Sequence, residues 1–180
     1  SRDMLSKLYP DLDVSNDALP FMGYKEVDFF GVPSRIFRIS FSGELAYEIN
    51  VKSDHGLFMW EKMMEVGEEF GNQPYGTEAL STLRIEMGHV AGPELDGRTI
   101  PSDVSLNGLV SKKKDFIGKN SLGREAFNVE SRQKIVGLIP IDRKSSIPEG
   151  SHIVKDKNVK SPNPKLGHVS SSCWSVENNN

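Results

Sequence analysis

A single cysteine, Cys173, and the absence of any apolar run near the roughly 20 residues that cross a bilayer exclude two classes of protein at once. One thiol allows no internal disulfide framework, and it fits a reducing compartment, so a cytoplasmic location is expected. Cys173 stands between Ser172 and Trp174 in strand-like sequence, where it reads as a packed residue rather than a nucleophile. An excess of either sign of charge is lacking too. The net charge of -3 gives no electrostatic reason to expect nucleic acid or an anionic membrane as partner. There is no GxGxxG or P-loop for a dinucleotide or nucleotide, no CxxC, no HExxH and no nucleophile elbow. The histidines, His55, His89, His152 and His168, are scattered at non-ligand spacings, so no metal site is predicted.

What is present suits a folded domain. The 180 residues are 37% hydrophobic and 26% charged, enough for one ordinary domain or two small ones. The first 23 residues are irregular, and Ser15, Asn16 or Asp17 can cap a short turn before Leu19-Pro20. From Lys25 to Val51 the pattern is β, with one reversal at Gly31–Pro33 and another at Ser42-Gly43, the latter a two-residue hairpin signal. Asp54 is placed to cap a helix running to about Phe70, with Leu57, Trp60 and Met64 at helical spacing. "GNQPYG" ends it. Thr77 can cap a second helix carrying Leu80, Leu83 and Met87, which Gly88 terminates.

Beyond the turn-rich "AGPELDGRTIPSD" the character changes. A charged loop leads to a short helix near Ser121–Phe127, and three strands are expected in "QKIVGLIPI", "GSHIVK" and "GHVSSSCW". The boundary falls near 128–132, giving a mixed α/β part over 1–130 and a β part over 131–180. The chain opens with Ser-Arg-Asp and closes on a strand running into "ENNN", which reads as a piece of a longer polypeptide.

Few polar residues sit where chemistry needs them. Glu44 follows the presumed turn in "FSGELAYEI"; a carboxylate there can accept hydrogen bonds from the N–H edge of an aromatic heterocycle, or simply face solvent as a rim residue. Arg84 borders the apolar stripe of its helix and needs a carboxylate, either internal (Glu86 or Glu44) or on a ligand. Lys112–Lys114 suits a polyanionic tail but reads first as a solvated loop.

Taken in order, "FSGELAYEI", "YGTEALSTLRIEMGH", "DGRTIPSDVSLNGLVSKKKDFIGKNSL", "QKIVGLIP", "IPEGSHIV" and "GHVSSSCWS" resemble the folate-binding aminomethyltransferase family. That family includes the T protein of the glycine cleavage system and the related domains of sarcosine- and dimethylglycine-oxidising enzymes. The resemblance spans about Ser1 to Trp174. It looks closest to the sarcosine-oxidising branch: Leu80 and Ser81 replace the Arg and Asp usual in T proteins, and "VSKKKDFIGKNSL" and "GHVSSSCWS" are similar to that branch's forms.

The resemblance implies an α+β fold, part of a three-lobed folate-binding domain in which a mixed α/β lobe precedes a small antiparallel β-barrel lobe, truncated at both ends. It implies a tetrahydrofolate site where Glu44 contacts the pterin, Arg84 lies near the folate and Tyr47 packs beside that Glu. The implied activity is capture of the one-carbon unit of oxidised sarcosine as 5,10-methylenetetrahydrofolate. Flavin and NAD are expected only on other parts of the parent enzyme, and the partners are the other subunits of a hetero-oligomeric oxidase. The family's catalytic Asp is expected upstream of Ser1, so no catalytic residue is assigned, and these 180 residues alone are expected to bind folate weakly or not at all. Phe41 and Ser42 depart from the family's Tyr-Thr, which removes a hydroxyl near the pterin. Two alternatives stand beside this reading: a T-protein aminomethyltransferase working with a lipoyl carrier, and a non-catalytic subunit-docking module.

Overall fold

The β-patterned segment forms three antiparallel strands in the structure, a computed structural model that describes residues 1–160 and 162–175. β1 (Tyr24–Phe29) pairs with β2 (Val32–Phe37), and β2 pairs with β3 (Glu48–Asn50), in the order β1-β2-β3. The register runs from Tyr24↔Phe37 to Phe29↔Val32 on one side of β2, and from Phe37↔Glu48 to Arg35↔Asn50 on the other. The first reversal is centred on Phe30 and Gly31, one residue earlier than the sequence suggests. Both adopt positive φ, +52° and +83°, the geometry whose twist matches a two-residue hairpin. The Gly31 N–H donates to Asp28 Oδ1 at 2.6 Å, and Pro33 sits inside β2 opposite Asp28.

The second reversal is not the expected two-residue turn at Ser42-Gly43. Residues 38–47 link β2 to β3, with a succession of bends from Phe41 to Leu45. The odd-numbered apolar residues shared one period, yet only Tyr47 and Ile49 pack on the core, while Phe41 and Leu45 stay exposed. Alternation alone does not distinguish a strand from a loop that leans on the protein through every second side chain.

The chain divides into two units, Ser1–Met87 and a second from Gly88 onward. In the first, the inward face of the sheet presents Phe29, Val32, Ser34 and Ile36 to a core of Leu5, Leu8 and Tyr9, Val14, Leu19 and Met59. Leu5 and Leu8 come from α1 (Arg2–Leu8), and Met59 from α2 (Gly56–Gly67). Full burial of Phe29, Leu19 and Ile36 contributes about 1.5–3 kcal/mol each. Ser15 closes the turn before Leu19 as expected, its carbonyl accepting the Leu19 N–H at 3.0 Å.

α2 lies where the pattern predicts a helix but begins and packs differently. Asp54 falls within a 3-10 turn, Ser53–His55, and His55 occupies the cap position with no side-chain cap bond. Met59, Met63 and Val66 face the core, whereas Leu57 and Trp60 are exposed. The helix is apolar on more than one face, and the tertiary partner chose between two stripes of similar spacing. α3 (Thr77–Glu86) has Gly76 as its cap, so Thr77 is its first residue rather than the cap. Gly88, at φ +74°, ends it as predicted.

The second unit is built mostly of turns. It contains α4 (Lys119–Leu122), a 3-10 turn at Glu125–Phe127 and a two-stranded antiparallel ribbon, β4 (His152–Val154) with β5 (Lys165–His168). Residues 133–141, expected as a strand, pair with no strand among the described residues. Ile135 N–H instead donates to the Asp103 carbonyl, at 2.7 Å. Residues 169–174 of the third predicted strand also lie outside β5. Asp103, only 8% exposed, anchors this region. Its carboxylate accepts from Arg132 Nε at 3.0 Å and from Arg132 Nη2, and takes the Ile100 N–H at 3.1 Å. These bonds, Arg132 first, lower the Asp103 pKa to about 2.

Candidate functional site

Glu44, Tyr47 and Arg84 all belong to the first unit. Glu44 is exposed within the bends of the 38–47 connection, and Tyr47 is half-buried just before β3. Arg84 is buried on α3, 5% exposed. The connection approaches α3 at Gly43, where a Cβ would lie 2.6 Å from Cγ and Sδ of Met87. Gly43 also holds φ +85°, a backbone conformation that favours glycine. Met87 follows Arg84 by three residues, one helical turn along the same face. The structure therefore brings the bend of Glu44 onto the end of the helix that carries Arg84.

The first residues of the chain brace the same connection. Ser1 Oγ donates to the Leu45 carbonyl at 2.5 Å, and Arg2 Nε donates to the Tyr47 hydroxyl at 3.2 Å. Arg2 is itself held by Asn16 Oδ1 at 2.7 Å. Tyr47 thus has its ring against the core and its hydroxyl already engaged, as a packing residue would.

Two contributors escaped sequence reading. Arg2 carries no motif and acts across 45 positions of sequence. Ser40 Oγ is buried without a hydrogen-bond partner among the described residues, four residues before Glu44. A lone buried hydroxyl carries a desolvation cost of about 1–3 kcal/mol and calls for an explanation such as a ligand or water. Nothing in "ISFSG" marks Ser40 as different from Ser42.

An open apolar groove of the same unit is lined by Trp60, Met63, Met64 and Tyr75, with the amides of Asn72 and Gln73; none of the predicted site residues lines it. Among the described residues no three metal-ligating side chains cluster, and no helix is long and apolar enough to cross a membrane.

The chain thus combines helices with small antiparallel sheets, and its Glu44 bend is seated on the helix that carries Arg84. The GCVT N-terminal domain model matches residues 1–114, and the chain belongs to that family. More particularly, it is 45% identical over 176 residues to the sarcosine oxidase subunit alpha of Corynebacterium sp. (strain P-1), covering 96% of this chain and 18% of that protein. The sarcosine oxidase subunit alpha of Rhizobium meliloti is 41% identical over 178 residues, covering 97% of this chain and again 18% of the relative. An aminomethyltransferase of Chloroherpeton thalassium is 32% identical over 155 residues, covering 85% of this chain and 41% of the relative. The chain thus spans under a fifth of the length of the sarcosine oxidase subunits it matches.

Proposed function

We propose that this chain is the folate-handling, one-carbon part of a sarcosine oxidase alpha subunit. The observation that carries the proposal is the seat of the Gly43–Glu44 bend on α3, one turn from the buried Arg84. Identity of 41–45% with sarcosine oxidase alpha subunits, against 32% with an aminomethyltransferase, supports the oxidase assignment over the T-protein one. Leu80 and Ser81, at the positions where T proteins carry Arg and Asp, point the same way.

The residues fit part of the ligand. Glu44 offers an exposed carboxylate to the amino-pyrimidine edge of a pterin, Ser40 offers an unused hydroxyl in the same connection, and Arg84 supplies a fixed positive charge. Tyr47 shapes the wall through packing. Tetrahydrofolate, when bound, supplies the amines that take up the one-carbon unit released from oxidised sarcosine, leaving glycine. The protein's task is orientation and exclusion of water, so that a reactive carbon meets those amines before solvent does. The proton-transferring Asp, the flavin and the NAD sites belong, on this reading, to other parts of the parent enzyme. Residues 1–130 form the mixed α/β part of a three-lobed domain, and residues from 131 contribute to a barrel lobe completed elsewhere in the parent. Its partners are the other oxidase subunits and the small-molecule substrate.

The direct test is tetrahydrofolate binding by calorimetry on the full-length parent protein. Glu44→Gln, which keeps size and removes charge, weakens binding by about tenfold or more, the scale of a charge-assisted hydrogen bond. Unchanged affinity would remove Glu44 from the site and the reading with it.

A further inference from the structure

The β4–β5 ribbon places cationic side chains in an arrangement that the folate reading does not use. His152 and His168 are direct cross-strand partners. The adjoining pair, Ser151 and Val169, is hydrogen-bonded, with Val169 N–H donating to the Ser151 carbonyl at 2.9 Å. His152 and His168 therefore occupy a non-hydrogen-bonded position, where opposed side chains stand closest, with Cβ atoms roughly 5 Å apart.

Lys165 precedes His168 by three residues, so in a regular strand it would point to the opposite face. It does not. The register skips Leu166, pairing Ile153 with Gly167 and Val154 with Lys165. This bulge turns Lys165 onto the face shared by His152, Val154 and His168. Lys165 Nζ lies 3.1 Å from His152 Nε2. An ammonium only donates, so the imidazole accepts one of its three protons and two remain to be directed outward.

The surroundings add positive charge without neutralising it. Between Gly150 and His168 there are four lysines, at 155, 157, 160 and 165, and one acid, Asp156, in a chain whose net charge is -3. Asp156 is committed to its own turn: its Oδ1 accepts the Asn158 N–H at 2.8 Å, and its carbonyl accepts Asn163 Nδ2 at 2.7 Å. His152, Lys165 and His168 form no ion pair with a carboxylate among the described residues. The ammonium therefore keeps donors that no carboxylate among the described residues takes up.

We propose that His152, Lys165 and His168 form an oxyanion-binding site on the β4–β5 ribbon, for a phosphate or carboxylate group held between the ammonium and the imidazole edges. No covalent step is involved, and the site requires no folate. The bulge at Leu166 is its structural cause, because removing one residue there would turn Lys165 to the other face.

The test is calorimetric titration of the full-length protein with inorganic phosphate and, separately, glutarate, at constant ionic strength set with chloride. Saturable binding is expected, weakened about tenfold or more by Lys165→Gln, which removes the ammonium charge, and by His168→Phe, which removes the ring N–H donor. Preference for phosphate assigns the site to phosphate esters, and preference for glutarate to carboxylates; either supports the proposal. Absence of saturable binding overturns it, as does binding that both variants retain at full strength. Circular dichroism of each variant matching the parent excludes loss of folding as the cause.

Discussion

Asp103 shows how one side chain ties down a turn-rich unit. Its carboxylate gathers the Arg132 guanidinium, the Lys134 ammonium at 3.5 Å and the Ile100 N–H. With the folded-state pKa lowered from 3.8 to about 2, the group contributes stability that is complete above the ordinary carboxylate value and lost as the pH falls through about 2. Acid unfolding followed by circular dichroism is expected to show this contribution between those limits, and Asp103→Asn to remove it while lowering stability at neutral pH by roughly 2 kcal/mol. A pH profile of the variant that parallels the parent throughout would contradict this. None of this was legible in the sequence, because Asp103 and Arg132 meet across 29 positions with no motif between them. Glu44 and Arg84 were singled out by a local pattern and by resemblance, whereas Ser40 and Arg2 matter only through where the chain places them.

Among the elements, helices were easier to read than strands. The helical run from residue 53 to 70 and α3 lie where periodicity and Gly88 place them, because a helix satisfies its backbone locally. Strands need a neighbour, and residues 133–141 have the composition of one but no partner strand among the described residues. The buried face of α2 was equally beyond local reading, since Leu57, Trp60 and Met64 compete with Met59, Met63 and Val66 at nearly the same spacing. Substitution separates the two stripes. Met59→Ala is expected to lower stability by about 2–4 kcal/mol, the cost of a cavity in a packed core. Leu57→Ala, at 70% exposure, should change it by less than about 0.5 kcal/mol. Chemical denaturation of both variants measures the difference, and equal effects would contradict the observed packing.

For the whole molecule, the match to the GCVT N-terminal domain and the identity with sarcosine oxidase alpha subunits define the family. An ordered set of short segments, two of them joined in space by the loop-to-helix seat at Gly43, supports the proposed folate handling. Confinement of a reactive one-carbon species, as proposed above, is a property of an assembled enzyme, so its test uses the full-length parent co-expressed with the oxidase subunits proposed as its partners. The most direct measurement supplies that assembly with sarcosine, with and without tetrahydrofolate, and quantifies 5,10-methylenetetrahydrofolate against free formaldehyde. Folate-dependent diversion of carbon from formaldehyde into 5,10-methylenetetrahydrofolate is the predicted result. Sarcosine turnover that yields formaldehyde alone, whatever the folate concentration, would contradict it and leave this chain as a subunit-docking module.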